Sequence, residues 1–185
     1  FGYRLLLVSV MAIAGALWPQ TVVSQGGCPP LARSGPIIVT VPRVQPALGP
    51  ATAGELIVPP GVTCSLEYAQ HFGNIDVKPG GTLQMIGVTV AGNVRAEGAR
   101  AVTVDNSRLM GDLLVVGGGP VTVRSSDIAG GVMVTGTAGG VTVNKTAIGG
   151  ALVLDSNGDQ IRITENTIGG ELRCGQNPGT LTVQA

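Results

Sequence analysis

The chain repeats itself at an interval of 19 or 20 residues, and that interval leaves very few folds open to it. Val141-Thr-Val143 returns as Ile161-Arg-Ile163, Ile148-Gly-Gly150 as Ile168-Gly-Gly170, and Leu152-Val-Leu154 as Leu172-Arg-Cys174. Traced through the whole sequence, the interval aligns five apolar columns. Three of them run Cys64, Leu83, Val102, Val121, Val141, Ile161, Leu181; then Leu66, Met85, Val104, Val123, Val143, Ile163, Val183; then Val90, Leu109, Ile128, Ile148, Ile168. The other two start at Leu56 and Val58 and end at Leu172 and Cys174.

Within a unit the apolar residues fall at i and i+2, which is the period of a strand. Gly92-Asn93, Gly111-Asp112, Gly130-Gly131, Gly149-Gly150 and Gly169-Gly170 mark the sharp corners. One such unit cannot bury its own apolar side, but a stack of them encloses a continuous core. The pattern predicts an all-β fold: a single-stranded right-handed parallel β-helix of about six coils, each of 19–20 residues. Composition agrees, because only 3% of residues are aromatic and the core must be built from stacked Val, Ile and Leu.

Three segments are expected. Residues 1–24 read as a signal peptide: Arg4 precedes the apolar run Leu5 to Trp18, and Val22-Val-Ser24 offers small residues for cleavage. That run is shorter than the roughly 20 residues a bilayer span needs; a retained N-terminal anchor is the alternative. Residues 25–55 hold Pro29, Pro30, Pro36, Pro42, Pro46 and Pro50 and are expected to cap the first coil irregularly. Residues 56–185 form the β-helix, and the text stops partway into a coil, which suggests a truncated C-terminus. The expected localisation is secreted or cell-envelope.

Three cysteines allow one disulfide. Cys28 and Cys64 are the candidate pair, since both flank the irregular stretch; Cys28 as a lipid-modified first residue is the alternative, although Gln25-Gly-Gly27 lacks the expected leucine. Cys174 takes an inward position equivalent to Val134 and Leu154 and reads as a small core residue.

The units Asn144 to Leu152 and Asn166-Thr-Ile-Gly-Gly-Glu-Leu-Arg-Cys174, with the lead-in Ile57-Val-Pro-Pro-Gly-Val-Thr-Cys64-Ser-Leu66, resemble uncharacterised secreted bacterial repeat proteins. These are frequent in actinobacteria and carry N-x-I-G-G-x-L-x-C repeats. The resemblance covers about residues 55 to 177 and implies a β-helix, with no activity or catalytic residue attached. Gly111-Asp112-Leu113 gives a looser likeness to bactofilins, self-assembling bacterial solenoids.

No catalytic residue or cofactor is assigned from the sequence. Asp155-Ser-Asn157-Gly158-Asp159 resembles a calcium loop and makes Asp155, Asn157 and Asp159 the candidate metal ligands. Such a loop needs about six oxygen ligands and a distal glutamate, which the spacing does not supply, and Asn-Gly is a strong turn signal. His71 is the only histidine and has no companion motif. Acids and bases balance at 11 each, so nucleic acid is not an expected partner. The expected function is that of an exported, non-enzymatic structural, surface or adhesion module. A polysaccharide lyase or hydrolase and a self-assembling polymer are the alternatives. Expected partners are an envelope or extracellular glycan, or a second copy joined through Leu181 and Val183.

Overall fold

A computed structural model describes residues 37–38 and 52–184. The chain winds as a right-handed parallel β-solenoid of about seven turns, in line with the columns. Thr52–Ala53 pairs with His71–Phe72, and Leu56–Val58 with Ile75–Val77, so the segment just before Cys64 already runs as a coil.

Each coil lays down three strands, and equivalent strands stack into three parallel sheets. The first face runs from Ile37–Ile38 and Leu56–Val58 to Leu172–Gly175. The second runs from Thr63–Glu67 to Leu181–Gln184, and the third, of shorter strands, from Thr52–Ala53 to Thr167–Ile168. The register is the column alignment itself. Val102 pairs with Val121 and Leu83, Leu113 with Val132, and Ile128 with Ile148. Alternation then sends one residue in two inward, and Leu83, Val104, Leu109, Val134 and Leu154 are wholly buried.

The corners stack as faithfully as the strands. Between the second and third faces each coil turns on a single left-handed residue: Tyr68, Gly87, Asn106, Ser125, Lys145 and Glu165, with φ between 45° and 65°. The N–H of each bonds a carbonyl one coil on, Gly87 to Asp105 at 3.0 Å and Asn106 to Arg124 at 3.0 Å. At the Gly-Asx corner the coils approach so closely that a Cβ on Gly92 would lie 2.3 Å from the Gly73 carbonyl oxygen. Asn74, Asn93 and Asp112 hold this corner: each side-chain oxygen accepts the backbone N–H one coil further on, at 2.7–2.8 Å.

The interval changes from 19 to 20 within one corner. Val115 pairs with Val134, 19 residues apart, whereas Val121 pairs with Val141, 20 apart, so the added residue lies between the first and second faces. The faces themselves keep their register through it.

Two substitutions test the columns. Ile148 is 2% exposed; Ile148→Asp puts a carboxylate into a dry core at a cost of several kcal/mol. It is expected to abolish cooperative thermal unfolding, while Thr142→Ser on the outer face shifts the midpoint little. A third tests the corners. A non-glycine residue in the left-handed region costs roughly 1–2 kcal/mol, partly offset by glycine's greater chain entropy. Ser125→Gly is therefore expected to stabilise by about 0.5–1 kcal/mol in denaturant titration.

Candidate functional site: a polar groove on the second face

The residues of the calcium-like string are held apart by a corner ladder. Asn157 is fully buried. Its Oδ1 accepts the Thr137 N–H at 3.1 Å and the Thr137 hydroxyl at 2.8 Å, and its Nδ2 donates to the Val134 carbonyl at 3.0 Å. One coil on, Asn177 repeats the arrangement, accepting from the Asn157 N–H at 2.8 Å and donating to the Leu154 carbonyl at 2.9 Å. Asn166 does the same at another corner, bridging the Thr146 N–H and the Val143 carbonyl. Asp155 meanwhile accepts from the Ser156 hydroxyl at 2.9 Å, and Asp159 from the Gln160 N–H at 2.7 Å. Both lone pairs of the Asn157 carbonyl oxygen are thus engaged inside the stack. Among the described residues no group of three or more His, Cys, Asp or Glu could hold a metal ion.

His71 is 4% exposed, in register with Val90, and its Nε2 donates to the Asn74 carbonyl at 3.1 Å. It is a core residue of the first coils. Cys64 is fully buried and disulfide-bonded, while Cys28 lies outside the described residues. Cys174 has the inward register of Leu154, but no coil among the described residues lies over it and it is exposed. Partial burial still pushes its thiol pKa up, away from the thiolate a nucleophile needs. Leu181 and Val183, in register with Ile161 and Ile163, are also exposed, at 44% and 52%.

A groove of about 650 Å³ lies on the second face. Its floor is the outward rank Thr142, Arg162 and Thr182, and its side the neighbouring rank Arg124, Asn144, Thr164 and Gln184. Gln160 and Glu165 close the two borders. Asn144 Nδ2 bonds the Thr164 hydroxyl at 2.7 Å and fixes the middle of the groove.

Its charges are distinctive. Lys78 pairs with Asp76, Arg95 with Glu97, Arg108 with Asp127, Lys145 with Glu165, and Arg173 with Glu171. Among the described residues Arg124 and Arg162 have no such partner within 4 Å, a property they share with Arg100 outside the groove. Asp105 is Arg124's register neighbour, but the two form no closed ion pair. Two guanidiniums, three threonine hydroxyls and three amides thus face solvent together. Such a surface can donate hydrogen bonds to hydroxyls and carboxylates. It holds one carboxylate, Glu165, and no histidine, cysteine or lysine, so it lacks a nucleophile–base pair and the paired carboxylates of glycoside hydrolysis.

Sequence reasoning registered Arg162 only as a break in a threonine rank. That Arg124 and Arg162 border one groove depends on stacking: they lie on coils two steps apart and in adjacent outward ranks, 38 residues apart in the chain.

The chain matches no protein-family model, no curated protein and no solved structure. The resemblance to the actinobacterial repeat proteins and to bactofilins therefore rests on the quoted motifs and extends to the solenoid fold alone.

Asn157→Ala would strand a buried N–H and a buried carbonyl, at a cost of about 2–4 kcal/mol. Asp155→Ala and Asp159→Ala are expected to change stability by less than about 1 kcal/mol. Thermal unfolding with and without millimolar Ca²⁺ checks the assignment: no variant's midpoint is expected to respond to the ion.

Proposed function

We propose that the protein is an exported, non-enzymatic solenoid that acts as a surface or adhesion module, holding an envelope or extracellular glycan in the groove of the second face. The carrying observation is the pair of guanidiniums without ion-pair partners, Arg124 and Arg162, set among hydroxyls and amides on a rigid sheet. Val121–Arg124, Val141–Asn144 and Ile161–Thr164 are each paired to a coil on either side, and the edge strand Leu181–Gln184 to Ile161–Thr164, so the polar ranks are pre-positioned and little order is lost on binding. A glycan offers what the groove can read: hydroxyls for Thr142, Asn144 and Thr182, and carboxylates, where present, for the arginines.

Export is supported by the sequence of residues 1–24. The solenoid, with no metal-binding cluster among the described residues, is consistent with a structural role. The exposed aromatic side chains Tyr68 and Phe72 sit in the first coils, away from the groove, so recognition there rests on hydrogen bonds and charge rather than ring stacking.

Retention of the purified chain on immobilised glycans, uronic-acid polymers included, tests the binding. Arg124→Ala with Arg162→Ala is expected to weaken retention at least tenfold without moving the unfolding midpoint. No unsaturated or shortened product is expected, with or without Ca²⁺. Product release lost on changing Asp155 or Asp159 would overturn the non-enzymatic reading. A reporter fused to residues 1–24 should appear outside the cytoplasm.

A further inference from the structure

Alternation on the first face is broken in three consecutive coils. The outward position that holds Asp76 and Arg95 in two coils holds Leu114, Met133 and Val153 in the next three. Val116, in the adjoining outward rank, is 43% exposed, as is Met133, and Met110 at the neighbouring corner is 56% exposed. Leu114, Met133, Ala151 and Val153 line a shallow apolar hollow of about 350 Å³. The runs Leu113-Leu-Val-Val116 and Val132-Met-Val134 are the sequence trace of this patch: the column analysis took Leu113, Val115, Val132 and Val134 inward and gave no role to Leu114, Val116 and Met133 between them.

The charges beside the patch have an order of their own. In the two coils on the N-terminal side of the patch the two outward ranks carry opposite signs: Asp76 beside Lys78, with the carboxylate's hydrogen bond and charge raising the ammonium pKa, and Arg95 beside Glu97.

We propose that this face is a self-association surface on which two copies pack with their solenoid axes parallel. A two-fold axis running along the solenoid, between the two ranks, sets Asp76 against Lys78 of the second copy and Arg95 against its Glu97. The same operation sets Leu114 against Val116 and Met133 against Thr135, so apolar coils meet apolar coils at one level. At the next level Val153 meets Asp155, which ends the contact. An antiparallel pairing centred on Met133 would oppose Arg95 to Arg173, two like charges, and is disfavoured. The four coils from Asp76 to Met133 span three steps of about 4.8 Å and a strand width of about 13 Å. That is well below the roughly 800 Å² per partner of a standard interface, so the pairing is weak and concentration-dependent.

Sedimentation equilibrium up to millimolar protein is the test. The wild-type chain is expected to dimerise with a dissociation constant of roughly 0.1 mM. Met133→Glu should raise that constant at least tenfold without moving the unfolding midpoint. Arg95→Glu makes both ranks of its coil acidic and Glu97→Arg makes them basic. Each variant alone should be monomeric, and an equimolar mixture should associate again. Leu181→Lys, at the last described coil, should have no effect and separates face-to-face pairing from end-to-end pairing. A wild-type monomer at every concentration, or a dimer indifferent to Met133→Glu, would overturn the proposal. Failure of the charge-swapped mixture to associate would overturn the parallel arrangement. Each readout is independent of glycan retention by the groove.

Discussion

Everything in this molecule depends on the lateral hydrogen bonding of each coil to the next in an unchanging register. A parallel strand has no hairpin to fix its partner, and a slip by one residue would turn every inward side chain to solvent. Here the register is fixed at many points of each turn at once. The three strands pair, the left-handed corner residues donate across coils, and the Asx and Asn ladders carry side-chain bonds through the remaining corners. The apolar columns therefore need no large side chains. Valine on valine, repeated, fills a narrow core that two aromatic residues per coil would overfill.

How much of this was legible follows from which interactions repeat. The columns beginning at Cys64 and Leu66 repeat in kind and could be read directly. The corner residues repeat in conformation but not in kind. Asn106 is a recognisable left-handed residue, whereas Lys145 and Glu165 give no hint of the same geometry, because the backbone there is imposed by the coils on either side. Asn157 was misleading for a related reason. Asn-Gly in a string of acids suggests an exposed loop, and only the stack shows its side chain turned inward to a carbonyl 23 residues earlier. The first coil was legible through Leu56 and Val58, at the head of two columns, whereas Thr52–Ala53 was placed in the irregular Pro-rich segment.

The faces differ in what they offer. The second presents hydroxyls, amides and two guanidiniums without ion-pair partners over a concave surface; the first presents a strip of exposed apolar side chains beside two coils of alternating charge. A periodic core leaves the outward positions free to vary, since any residue tolerated in a strand can stand there. Departures from monotony on these faces, Arg162 among threonines and Met133 in line with Arg95, are where function is written on such a scaffold. The candidate groove was not legible as a site because its two arginines belong to different coils and different ranks.

The single added residue between the first and second faces shows how such a rod can grow. Since the extra length leaves the pairing of Val121 with Val141 intact, this corner tolerates a change of contour while the faces remain in phase. Corners at the same angular position in successive coils form a seam along one side of the molecule. A segment of several residues inserted there would project outward from the seam at a height fixed by its coil, about 4.8 Å above the last. The protein is in this sense a graduated mast: variation at one line can place new loops at chosen heights while the faces stay in phase, and in the coil of Gln160 such a loop would rise at the border of the groove.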